Sequence, residues 1–146
     1  MPDIIAGNRR ADITVGLRLP HELPGGAACL RDFVARVEAT GIDRLFTGDH
    51  VTFSGWRHGM HVWCGLGDSA ATARSRLAGV MEAFYRTPFG KFEKYCPCGT
   101  PAEVAAGLRA YVDAGCRSFN LIPVADTERA AIEGTDAVRA ALREEH

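Results

Sequence analysis

No stretch of this 146-residue chain strings together the roughly 20 apolar residues that a membrane span requires. No membrane partner is therefore expected. The opening MPDIIAGNRRADIT lacks the basic-then-apolar order of a secretory signal, which makes the cytoplasm the expected location. An excess of one charge is missing too. With 17 Lys and Arg against 18 Asp and Glu, dispersed along the chain, there is no basic stripe for nucleic acid and no polybasic cluster for a lipid surface. The five cysteines, Cys29, Cys64, Cys96, Cys98 and Cys116, are odd in number and lack framework spacing, as reduced thiols in a reducing compartment would be. Repeats, linkers and low-complexity tracts are also lacking, so residues 1–146 read as a single domain with one core.

The most legible stretch is GTPAEVAAGLRAYVDAGCRSFNLIPV, Gly99 to Val124. Thr100 as N-cap, Pro101 at the first helical position and Glu103 three residues after the cap predict a capping box. Val104, Leu108, Tyr111 and Val112 recur on one helical face, and Gly115 suits a left-handed stop. Phe119 to Ile122, bounded by Pro123, then reads as a buried strand. A capped amphipathic helix feeding an apolar strand is half of a βαβ unit, which makes the class α/β with parallel strands.

The remainder fits this pattern. Ile13 to Leu19 alternates and stops at Pro20, as a first strand would. Leu30, Phe33, Val34 and Val37 mark a helix from about Ala27 to Thr40, and Ile42 to Thr47 is the second strand. Gly48-Asp49-His50-Val51 then places a carboxylate and an imidazole at the C-terminal tip of a parallel strand, the edge where α/β proteins build ligand sites. His61 to Leu66 is a third strand, and Asp68 or Ser69 caps a helix reaching about Tyr85, with Leu77, Val80, Met81 and Phe84 on one face. The segment RTPFGKFEKYCPCGT reads as a long loop with a short strand near Tyr95 and Cys96. A last helix from near Asp126 or Thr127 carries Ala131, Ile132, Val138 and Leu142, with an interruption or bend expected around Gly134.

Three stretches resemble the luciferase-like flavin monooxygenases and deazaflavin-dependent oxidoreductases, which are TIM barrels. LFTGDHV is similar to the second strand of that family, HVWCGLGDSAATARSRLAGVMEAFY to a late strand and helix, and Gly99 to Val124 to the final helix and strand. A complete barrel needs on the order of 200 residues or more, and here the second-strand stretch is followed almost at once by one resembling a late strand. The resemblance thus implies an incomplete TIM-barrel-like parallel sheet of four or five strands, internally shortened, with helices packed on one side. It also implies an oxidoreductase, monooxygenase-like, using reduced FMN or a deazaflavin (coenzyme F-420) on a small organic substrate, with His50 as the catalytic residue and Asp49, His50, Gly99 and Thr100 around the cofactor. The alternative is a catalytically silent remnant that acts as a self-associating or partner-binding module. Two open sheet edges favour a homo-oligomer in either case.

Several of these residues admit plainer roles. His50 could hydrogen-bond backbone at a strand end, Asp49 could cap a turn, and the Gly99–Thr100 amides could hold an anion or only begin a helix. His58, His61 and Cys64, with Cys96 and Cys98, form a zinc-like inventory, but His61 and Cys64 on one strand would face opposite sides, and no metal is expected. The aromatic and basic run from Tyr85 to Tyr95 is too short for a nucleic-acid surface and reads as a packed loop with a solvated rim.

Overall fold

The computed structural model describes residues 10–20, 25–46 and 59–144. Strands β1 (Thr14–Arg18), β2 (Arg44–Phe46), β3 (Gly59–Leu66), β4 (Cys98–Gly99) and β5 (Ser118–Val124) alternate with helices α1 (Gly26–Glu38), α2 (Ala70–Tyr85), α3 (Pro101–Asp113) and α4 (Glu128–Arg143). Every strand pair is parallel and the order is β2-β1-β5-β3-β4. The class is therefore α/β, with an incomplete, barrel-like parallel sheet of five strands and the four helices packed around it. Among the described residues no helix is long and apolar enough to cross a membrane.

Alternation along the strands sorts side chains onto two faces. On the face we call outer, Val15 of β1, Val62, Cys64 and Leu66 of β3, and Phe119 and Leu121 of β5 form the main core with Val104, Leu108 and Val112 of α3 and Val138 and Leu142 of α4. Leu17 continues this layer toward α1, packing with Phe33, Val37 and Ile132. Three helices thus lie on one side, the arrangement the sequence predicts. α2 lies on the other. Its Leu77 and Met81 pack with Trp63, Cys98 and Val124, which point inward, and with Phe89 and Cys96 of the following loop. Strand order explains the difference. The β1-to-β2 step runs toward one edge and the β3-to-β4 step toward the other, and crossovers of the same right-handed sense then place their helices on opposite faces.

Three local features differ from the sequence reading. The short strand expected near Tyr95 and Cys96 is instead Cys98–Gly99, after two 3-10 turns at Phe89–Lys91 and Glu93–Tyr95. Pairing begins at the carbonyl of Pro97, which accepts from the Gly65 amide at 3.0 Å, and continues with the Gly67 amide donating to the Gly99 carbonyl at 3.0 Å. β5 runs through Pro123, which lies beyond the last β1 pair, Leu17 with Leu121, so among the described residues β3 is its only strand neighbour there and a residue without an N–H is tolerated. α4 is continuous through Gly134. A Cβ at that position would stand 2.8 Å from Leu66 Cδ1, so the glycine serves close approach of helix to strand and not a bend.

The first turn into β2 is anchored by Asp43. Its carboxylate accepts from the Val15 amide at 2.8 Å, from Arg139 Nε at 3.1 Å and from Arg143 Nη2 at 3.1 Å, joining β1 and α4 to the start of β2. Burial opposes the charge, but the Val15 amide and the two guanidinium groups outweigh it and hold the carboxyl below its ordinary 3.8. A lowered folded-state pKa contributes stability above the ordinary value that is lost as the pH falls through the lowered one. Asp43→Asn should therefore cost about 1–3 kcal/mol at neutral pH. The gap to the parent should narrow below about pH 4 in urea titrations across pH. A gap that stays constant down to strong acid would show that the charge of Asp43 contributes nothing.

Candidate functional site at the strand C-terminal edge

Every strand ends on the same side of the molecule because all are parallel, and α2, α3 and α4 begin there. Ser69, Thr100 and Thr127 cap these helices, their hydroxyl oxygens accepting from Thr72, Glu103 and Ala130 amides. Two hollows open along this edge and share Asp126.

The first, of about 400 Å³, lies over the tips of β1 and β5. Leu17, Phe33 and Ile132 wall it on the outer side, and Trp63, Val80 and Ile122 on the inner side. Among the described residues one cation lines it. The Arg18 guanidinium stands over the Trp63 ring, 6.0 Å from its centre, a separation at which the ring quadrupole attracts it. The two carboxylates at the rim are each engaged with another arginine, Asp126 with Arg76 and Glu128 with Arg36. Largely apolar walls with a few placed polar groups are the usual make-up of a small-molecule site.

The second, of about 380 Å³, lies between the ends of β3 and β5, where α2 and α4 depart to opposite faces. This is the topological switch point at which open α/β sheets bind ligands. Here, however, Arg76 closes the space. Its Nη1 donates to the Leu66 carbonyl at 3.3 Å while its other nitrogen pairs with Asp126. The remaining charged residues lining this hollow, Asp68 and Glu133, are acidic.

Asp49 and His50 lie outside the described residues, as does His58; in sequence Asp49 and His50 follow β2 by three and four residues, beyond the tip of that strand. Gly99 and Thr100 stand at the end of β4, and neither is among the residues lining the hollows. Their capping box is complete. The Thr100 amide donates to Glu103 Oε2 at 2.8 Å, and the Glu103 amide to Thr100 Oγ1 at 3.4 Å. The Thr100 amide holds the Glu103 carboxyl below its ordinary value. Gly99 has a φ of 143°, and a side chain there would come within 2.3 Å of the same carboxylate. The N–H that a phosphate would need at Thr100 is thus held within the chain.

His61 and Cys64 point to opposite faces, Cys64 into the outer core and His61 inward, edge-on to Phe46 at 5.3 Å. Burial pushes the Cys96 thiol up to about 11, with Cys98 adding to the shift, and burial also raises Cys98 itself. Such thiols are protonated at neutral pH and are poor nucleophiles.

Sequence reading did not single out Arg18 or Trp63. The signal was the period of two: in Thr14-Val15-Gly16-Leu17-Arg18, Arg18 falls on the face opposite Val15 and Leu17, as Trp63 does relative to Val62 and Cys64. Val80 and Phe84, expected in the buried stripe of α2, are 41% and 57% exposed, because the buried line is Ala73, Leu77 and Met81. Phe84 and Tyr85 instead gather round Trp63, whose Nε1 donates to the Tyr85 hydroxyl at 3.1 Å. No family model matches the chain, and no curated protein or solved structure matches it either.

Proposed function

We propose that this protein binds a small organic molecule in the hollow over β1 and β5, and that it works as an oxidoreductase assisted by FMN or a deazaflavin, the activity implied by its resemblance to luciferase-like enzymes. The observation that carries the binding part is the place and make-up of the hollow: apolar walls and one arginine at the C-terminal tips of parallel strands. A flat ring system suits the walls beside Trp63. The phosphate is less well served, because the Thr100 amide is taken by Glu103. The bound cofactor would supply the redox chemistry, while this chain supplies position and exclusion of water. Reduced thiols fit work in the cytoplasm.

Isothermal titration with oxidised and reduced FMN and with deazaflavin should give saturable but weak binding, with a Kd of about 10 μM or higher. Trp63→Ala and His50→Ala should each weaken it. If purified, folded protein gives no saturable heat, the second reading gains: a silent α/β module that associates with its own kind. The exposed Phe84 and Tyr85 beside Trp63 favour that reading, since grouped surface aromatics mark contact sites.

A further inference from the structure

We propose that Met81, Cys96 and Cys98 form a binding site for one soft monovalent metal ion of the Cu(I) kind, held by two thiolates and a thioether between α2 and the segment that leads into β4. None of the three lines either hollow. The Cys96 and Met81 sulfurs stand 3.8 Å apart. Two sulfurs bound to one ion at about 120°, with metal–sulfur bonds of about 2.3 Å, are separated by about 4.0 Å, so this pair can share an ion almost without moving. Cys98 supplies the third sulfur. Cys96 has φ −120° and ψ 86° and Cys98 opens β4, and in extended chain residues two apart fall on one side. The Cys98 Sγ is turned back toward Cys96, 3.4 Å from its carbonyl oxygen, and packs against the cluster that holds Met81 and Cys96. Pro97 between them has its φ fixed by its ring, which limits the freedom of the pair.

The donor set decides the class of ion. Thiolate and thioether sulfurs are soft and select Cu(I), whereas structural zinc takes four ligands from Cys, His and carboxylates. Among the described residues no group of three or more His, Cys, Asp and Glu side chains is placed to hold a metal, and Cys64 points into the core on the other face of the sheet. Met81 and Cys96 are buried and Cys98 is half-buried, so an ion can enter at Cys98 and rest against the apolar side chains of Leu77 and Phe89. Binding exchanges each S–H proton for a bond to the ion: two protons go to solvent, and the ion keeps its oxidation state.

The test uses the full chain, reduced and kept free of oxygen, and titrates it with Cu(I) in competition with the chromogenic chelator bathocuproine disulfonate. One equivalent should be retained, with ultraviolet thiolate-to-Cu(I) absorption and a melting temperature above that of the metal-free chain. Cys98→Ser, at the half-buried position, should weaken binding by about a hundredfold or more, and Met81→Leu, which keeps the volume of the side chain, by about tenfold. Cys29→Ser combined with Cys116→Ser should bind as the parent does, and circular dichroism of each variant checks the fold. Zn(II) should be lost on desalting. Copper uptake that is unchanged in folded Cys98→Ser, or lost in the Cys29 and Cys116 double variant, would overturn the site. Zn(II) held as tightly as Cu(I) would overturn the soft-ion class, and unchanged affinity in Met81→Leu would overturn the part of the thioether. No retention of copper by the parent would overturn the proposal outright.

Discussion

Phe119→Ala should lower the stability to unfolding by about 3–5 kcal/mol, the range for deleting a fully buried aromatic side chain. Phe119 is 0% exposed and sits on the central strand β5, paired with Val15 of β1 and Met60 of β3. It packs in the same cluster as Val104, Leu108, Val138 and Leu142, so its removal opens a cavity facing two helices and two neighbouring strands. Helices tied to both sides of the gap cannot follow it inward without breaking their other contacts, and collapse would recover little of the loss. Domains of this size have about 5–15 kcal/mol of stability in total, so the variant should be near its limit at 37 °C. Urea unfolding followed by circular dichroism checks this through the midpoint at unchanged slope. A loss below about 1 kcal/mol would mean that the outer layer is not packed as described.

Gly65→Val should also destabilise, by about 3 kcal/mol, although strand propensity alone favours valine over glycine. A Cβ at Gly65 would stand 2.6 Å from the Ala73 carbonyl oxygen and 2.9 Å from its carbon, both backbone atoms of α2 that cannot turn aside. The helix must lift, taking Leu77 and Met81 away from Trp63 and Val124. The loss should appear together with a change in Trp63 fluorescence, since Tyr85 and Phe84 of the same helix touch that ring. Gly79, also on α2, has open space around its missing side chain, and Gly79→Ala should stabilise by about 0.5–1 kcal/mol. If Gly65→Val were as stable as the parent, α2 would not lie against the inner face, and all four helices would belong on one side.

The pattern of these two sites shows what was readable beforehand. The αβ unit from Thr100 to Val124 is local: cap, stripe and strand follow one another within contact of the residues that define them, and the structure has each in place. The side of the sheet taken by α2 is not local. The stripe Leu77 and Met81 says that the helix is buried on one face, but which face of the sheet receives it follows from β3 pairing with β5 and β4 at the edge, partners distant in sequence. Gly134 was misread for the same reason, since a glycine states what it leaves free and not which neighbour uses the space. Arg18 and Trp63 came into view only when β1, β5 and β3 were set side by side, because each belongs to a different strand and neither lies in a motif. Asp49 and His50, in contrast, were conspicuous by position at the end of β2, and titration of His50→Ala remains their test.

The placement of α2 also limits how this sheet can grow. A barrel closes by adding strands until its two ends meet around an interior filled with side chains. At the β4 end a helix occupies that interior, and the strand itself offers only the two residues Cys98 and Gly99 to a newcomer. Extension from that end would require α2 to be expelled, together with the contacts of Leu77, Met81 and Phe89.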